Sequence, residues 1–168
     1  NFEAEGRYEN VENAAMTTWL VSFTQISTKD KLAAEYLKLM SLMMEKDIPR
    51  DFLYTVYDDE TSEAAANQQI KPEWLPGEVD DVQVEKSIGT LAAYAFITKS
   101  ITEDSYDLHR LVSLSMRNWL QKQNIATTYA TQVVMRLNTI FPPPNYENKG
   151  FWHRYLSHGR HVVSSQVD

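Results

Sequence analysis

Apolar positions recur along this chain with a helical period over most of its length. In "VENAAMTTWLVSFTQIS" Met16, Trp19, Leu20, Phe23 and Ile26 follow one another at steps of three and four residues, which predicts a helix with one buried face. Ser27, Thr28 and Asp30 are N-cap candidates for the next stretch, "KLAAEYLKLMSLMM", whose stripe is Leu32, Tyr36, Leu37, Met40 and Met43. "KDIPRDFL" then interrupts the pattern; Pro49 suits the first turn of a short helix, with Ile48 and Phe52 packing back onto the core. Residues 57–80 hold acid clusters, two prolines and a glycine with little periodicity, and predict a long acidic loop that Trp74 and Leu75 tack to the surface.

The helical pattern resumes in "DDVQVEKSIGTLAAYAF", with Asp80 or Asp81 as cap and Val84, Ile88, Leu91 and Ala95 on one face. "FITKSITEDSYDLH" changes the period to two: Ile97, Lys99 and Ile101 alternate with Phe96, Thr98 and Ser100, and Tyr106 and Leu108 follow a turn-like "TED". That is a β-hairpin, and it runs directly into "RLVSLSMRNWLQKQ", whose stripe is Leu108, Leu111, Val112, Ser115 and Trp119. Two more helices are predicted, one with Tyr129, Val133, Leu137 and Ile140 on its stripe, the other with Trp152, Tyr155, Leu156, Gly159 and Val162. The prolines of "PPPNYENKG" make a hard corner between them.

The predicted fold class is mainly α. Three helices, a short β-hairpin and a further helix give the element order of a winged-helix domain, with the hairpin as wing. The expected organisation is an N-terminal linker over 1–10, the winged-helix domain with its acidic loop over 11–123, and a helical hairpin over 124–168. One such helix pair cannot bury both faces alone, so it predicts the start of an α-solenoid of TPR-like repeats.

Charge changes the functional picture more than composition does. The 168 residues carry a net charge of −7, but residues 1–106 hold nine Lys/Arg against twenty Asp/Glu, while residues 107–168 hold seven against three. A winged helix often reads DNA with the helix before its wing. Here that helix, residues 81–95, offers Lys86 against Asp81 and Glu85, and the acidic surroundings repel phosphate, so no nucleic-acid partner is expected. Nor is a membrane: no apolar run approaches a span, and no basic and apolar leader opens the chain. The absence of cysteine removes disulfides and thiol chemistry and fits a cytoplasmic setting, and the start without methionine reads as a piece of a longer chain.

Candidate chemistry is sparse. The chain has no GxxxxGK[ST] phosphate loop, no G-x-S-x-G elbow and no H-E-x-x-H helix, so no enzyme activity and no catalytic residue is expected of it. "YDDE" and "EVDD" lack the ligand spacing of a calcium loop. His153 and His158 lie five residues apart, far around a helix from each other, and only His158 and His161 share a face; a mildly basic, solvated helix with Arg154 and Arg160 is expected there rather than a metal site. His109 stands at the joint between hairpin and helix, where a polar side chain either caps the helix or meets an anion drawn to unpaired N–H groups. Trp152, Arg154, Tyr155 and Arg160 form a basic, aromatic face of the kind that anchors protein partners, or packs one repeat on the next.

Taken together, "AAMTTWLVSFTQI", "AAEYLKLMSLM", "DIPRDFL", "SIGTLAAYAFI", "YDLHRLVSLSMRNWL" and "YLSHGRHV" resemble the region following the nucleotide-binding core in NB-ARC/TPR proteins of the fungal NLR-like kind. These are STAND-class signalling ATPases in which a winged helix links the NTPase to tetratricopeptide repeats, and the resemblance covers residues 11 to the C-terminus. It implies a non-catalytic regulatory module that couples nucleotide state to repeat position and self-assembly. Its partners would be an upstream nucleotide-binding domain and downstream TPR-like repeats in the same chain, with homo-oligomers on activation. It also implies no cofactor in isolation and ADP or ATP with Mg in the full-length protein. In that family a Met-His-Asp-type motif places its histidine on the β-phosphate of ADP. The matching positions are Leu108, His109 and Arg110, so the resemblance implies nucleotide sensing by His109, while Leu108 and Arg110 depart from the pattern, Arg110 replacing an acid. A helical protein-interaction scaffold without nucleotide sensing is the alternative.

Overall fold

A computed structural model describes residues 18–54, 80–102, 104–140 and 149–164. Seven helices and three short strands make up these residues: α1 (residues 18–29), α2 (Lys31–Leu42), β1 (Ile48–Pro49), α3 (Asp51–Tyr54), α4 (Asp81–Ala93), β2 (Ile97–Lys99), β3 (Ser105–Leu108), α5 (Arg110–Lys122), α6 (Ala126–Ile140) and α7 (Lys149–Ser164). The expected linker 1–10, most of the acidic loop and the proline corner lie outside the described residues.

Helix α2 is the centre of the molecule. Its stripe Leu32, Tyr36, Leu37 and Met40 is buried as expected, but Ala33, Ala34, Leu39, Ser41 and Leu42 are buried too, so the helix is enclosed on nearly every side. Helices α4, α5 and α6 pack around it. Asp30 closes its first turn, accepting from the Ala33 N–H at 3.0 Å, and the same carboxylate accepts from Ser87 Oγ at 3.0 Å and Thr90 Oγ1 at 2.9 Å on α4. One acid thus caps a helix and fastens a second helix to it. Asp80 is the N-cap of α4, accepting from the Gln83 N–H.

The expected hairpin is present, with Ile97 opposite Leu108 and Lys99 opposite Tyr106. A third strand was missed: Ile48 and Pro49 pair antiparallel with Tyr106 and Ser105, giving the order β1-β3-β2. Pro49 therefore sits in a strand and not in the first turn of a helix, and it is tolerated there because β1 is an edge. Ile48 and Phe52 are fully buried, as the sequence pattern requires. The expected alternation stops short at Ile101, which lies in the hairpin turn and is fully exposed. Lys46 and the Asp47 N–H hold Asp107 of β3 at 2.7 Å and 3.0 Å, fixing the stretch between α2 and β1 against the sheet.

Helices α5 and α6 are separated by a turn in which Asn124 takes a left-handed φ of 57°, one residue beyond the expected boundary at 123. The hydrophobic core runs on across that turn. Tyr129, Val133 and Leu137 of α6 and Tyr155 and Val162 of α7 belong to the same buried cluster as Tyr36, Leu37, Phe52 and Leu120. Among the described residues no helix is long and apolar enough to cross a membrane, and no group of three or more acidic or histidine side chains could hold a metal ion.

Candidate functional site

His109 ends β3 and is the N-cap of α5. Its backbone N–H donates to the Phe96 carbonyl at 2.9 Å and its carbonyl accepts from Ser113, so hairpin and helix together fix the residue. The imidazole Nδ1 accepts from the Leu111 N–H at 3.3 Å, and the ring stacks on Trp19 of α1 with centroids 5.3 Å apart. The fold therefore accounts for His109: it caps the helix. That role occupies only one nitrogen. An accepting Nδ1 places the hydrogen of the neutral ring on Nε2, which meets no acceptor among the described residues. His109 and the adjacent Arg110 are both exposed at the positive end of a 13-residue helix. An N–H donor, an exposed guanidinium on the next residue and the positive end of a helix thus occur together at one strand-to-helix joint, chemistry that suits an anion. It offers no nucleophile and no general base poised on one.

The aromatic and basic residues of α7 are not gathered on one open face. Tyr155 is fully buried and its hydroxyl donates to Asp51 Oδ2 at 3.3 Å; Trp152 is half-buried; Arg160 is exposed; the side chain of Arg154 lies outside the described residues. The expectation of a wholly solvated basic helix fails at His158, which is 2% exposed, with Nε2 at 3.1 Å from the Asp47 carbonyl, and at the half-buried His161. The reason is the packing of α7 against β1 and the α2–β1 connection, contacts far apart in sequence that no local pattern announces.

Sequence reading also missed the polar joints that hold α6 and α7 on the body. Tyr129 of α6 donates to Glu35 Oε2 of α2 at 2.6 Å, and Lys38 donates to Glu35 Oε1 at 2.5 Å while lying over the rings of Tyr129 and Trp119. Burial pushes the Tyr129 hydroxyl well above its ordinary pKa, and the Glu35 carboxylate, by accepting its hydrogen and by its charge, pushes it further. Arg136, 4% exposed, lies over the Phe52 ring. Helical spacing gave one signal, since Glu35 and Lys38 are neighbours on α2. Replacing Tyr129 by phenylalanine is expected to cost about 1–3 kcal/mol, the range for removing one partner of a charged, part-buried acceptor. Urea unfolding of Tyr129→Phe, Glu35→Gln and the double variant measures it; strict additivity would show that the pair is not coupled.

Between α6 and α7 an apolar groove of about 490 Å³ opens on the side away from the body, lined by Val134, Leu137, Tyr155, Leu156, Val163 and Arg160 among others. Val134, Leu156 and Val163 are exposed. Leu156 stood on the predicted stripe, so the α7 pattern was wider than its contact with the body requires. Helix α4, which precedes the hairpin, exposes Asp81, Val82, Gln83, Glu85 and Lys86, with Glu85 paired to Arg50. Its outer face is acidic and apolar, unlike a phosphate-binding surface.

No protein-family model and no solved structure matches the chain. A protein of Hyaloscypha variabilis described as a nucleotide-binding leucine-rich repeat (NLR)-like protein is 34% identical over 166 residues, which take in 99% of this chain and 14% of that protein. The chain is thus similar to one segment of a much longer NLR-like protein of a fungus, and it spans about a seventh of that relative's length.

Proposed function

We propose that this chain is the non-catalytic regulatory module of a STAND-type NB-ARC ATPase, in which a winged-helix body reads the nucleotide held by a neighbouring domain and passes that state to helical repeats. The observation that carries the reading is His109: its Nδ1 serves the helix and its Nε2–H is left as a donor beside Arg110. Capping and phosphate contact are therefore compatible uses of one ring. The similarity to a segment of a protein described as nucleotide-binding supports placing that phosphate on another domain of the same chain. ADP or ATP with Mg supplies the phosphate charge in the full-length protein. This chain contributes an N–H donor, a cation and a helix N-terminus, with the Trp19 ring bracing the imidazole. Arg110, where the family pattern has an acid, adds to the attraction for an anion.

The attachment of α6 and α7 to the body matters as much as the sensor. The body is held to α6 and α7 by the Tyr129–Glu35, Tyr155–Asp51 and His158–Asp47 bonds, so a displacement at His109 reaches the outer groove without a hinge at residue 123. We place downstream helices in that groove. A leucine-rich repeat carries a strand in each unit, whereas α6 and α7 are a pair of helices, which favours two-helix, TPR-like repeats. The module works in the cytoplasm and favours homo-oligomers when the nucleotide contact is released.

The test is His109→Ala in the full-length protein. One charge-assisted hydrogen bond contributes about 1.5–3 kcal/mol, so ADP release should quicken roughly ten- to a hundredfold and the oligomeric form should gain population. His109→Asn, which keeps an N-cap, separates capping from contact: it should retain stability and still lose ADP. An unchanged ADP off-rate and assembly in both variants favours the second reading. In that reading α6, α7 and the groove are a partner-binding scaffold and the body is a spacer, as the exposed Val134, Leu156 and Val163 allow.

A further inference from the structure

Besides the Tyr155–Asp51 bond, helix α7 is docked through two histidines one turn apart whose bonds require opposite tautomers. A carbonyl oxygen only accepts, so His158 Nε2, 3.1 Å from the Asp47 carbonyl, carries a hydrogen. A guanidinium only donates, so His161 Nε2, 2.8 Å from Arg117 Nη2, is a bare lone pair and the neutral ring keeps its hydrogen on Nδ1. Adding a proton to His158 leaves its Nε2–H in place. Adding one to His161 removes the acceptor and sets a cation against a cation.

Arg117 cannot readily turn away. Its Nε donates to the Ser41 carbonyl at 2.5 Å and its Nη2 to the Met43 carbonyl at 3.0 Å, closing the C-terminal end of α2 from α5. The charged groups facing His161 are Arg117 from α5 and, from the stretch between α2 and β1, Glu45, whose Oε1 is 3.9 Å from Arg117 Nη2. We propose that the Arg117–His161 contact is an acid-released latch: a proton taken from solvent onto His161 Nε2 ends the hydrogen bond, and α7 leaves the body while α2 and α5 stay joined through Arg117.

Burial first, and then the charge of Arg117, hold the docked imidazole below the ordinary histidine pKa, with Glu45 pulling the other way. A released α7 returns that imidazole to about 6.5. The released form then binds the proton more readily than the docked one, so docking is complete above about pH 6.5 and weakens as the pH falls from there through the lower docked value. Opening should rise by up to about tenfold for every pH unit crossed in that window. Release would separate the two walls of the outer groove and bare the buried ring of Tyr155. The latch stands apart from the nucleotide reading and needs no nucleotide.

Hydrogen exchange of the 168-residue chain at pH 7.5, 6.5 and 5.5, corrected for intrinsic exchange, tests it. The expected result is selective loss of protection in α7 on acidification while α2 keeps its protection. His161→Gln should abolish that loss, because its amide oxygen still accepts from Arg117 and does not titrate. Equal acid loss in wild type and variant, loss of α2 together with α7, or no loss at all would overturn the latch. If His161→Gln fails to dock at pH 7.5, the wild-type imidazole NMR titration decides: a midpoint below the ordinary value that coincides with α7 shifts supports it, and an ordinary midpoint overturns it.

Discussion

A chain ended at residue 123 is expected to lose most of its stability, by on the order of 5 kcal/mol or more relative to the 168-residue chain. Truncation removes Tyr129, Val133 and Leu137, each fully or nearly buried against α2 and α3, and a buried side chain of this size contributes about 1.5–3 kcal/mol. It also bares Phe52 and strips the Glu35–Lys38 pair of the Tyr129 hydroxyl. Domains of this size are stable by only about 5–15 kcal/mol, so the shortened chain should unfold at much lower urea or lack a cooperative transition. Circular dichroism during a urea titration measures it. A sharp transition at an undiminished midpoint would show that residues 11–123 are a domain in their own right, as the element order predicts.

Phe52→Ala should have the second-largest effect, a loss of about 3–5 kcal/mol, since truncating a buried phenylalanine forfeits its transfer energy and leaves a cavity that its neighbours fill only in part. Phe52 is fully buried on the four-residue helix α3, which touches β1, α4 and α6. The ring also supports the nearly buried Arg136 guanidinium. Phe52→Leu, which fills much of the space without an aromatic face, isolates the contribution of that cation; thermal unfolding of the three proteins at one pH gives the comparison. Equal stability of Phe52→Leu and wild type would mean that the guanidinium gains nothing from the ring.

The parts of this structure written in local periodicity were legible in the sequence. The stripes of α2 and α6, Val84, Ile88 and Leu91 of α4, the caps Asp30 and Asp80, and a hairpin within Phe96–Leu108 appear where the residues place them. Ala95, expected on the α4 face, is instead exposed beyond the helix end with a φ of 55°, and Phe96 and Ile97 are buried side by side instead of alternating. What escaped depends on partners distant in the chain. Two residues, Ile48 and Pro49, are too short a run to announce a strand, and only β3 makes them one. The enclosure of α2 was hidden because Ala33, Leu39 and Leu42 lie off its stripe, and an off-stripe leucine is as common on a surface as under a neighbouring helix.

The candidate site divides in the same way. A capping role for His109 was one of the two readings its position offered, while the choice of nitrogen, on which its spare N–H depends, required the Leu111 distance. His158 and His161 were visible as neighbours on one face. That one of them donates and the other accepts follows from Asp47 and Arg117, which stand 111 and 44 residues away.

The short strand β1 has a bearing on how copies of this chain could come together. Sheets grow sideways by offering free N–H and C=O groups at an open edge, and proteins block that growth with brief edges, proline and lysine. Here one margin is a two-residue strand that includes Pro49, which has no N–H to give, and the other is the three-residue β2 ending at the exposed Lys99. Neither margin can template another strand over any useful length. Assembly by strand addition is therefore closed to this sheet, and copies that associate through the described residues must meet through their helices.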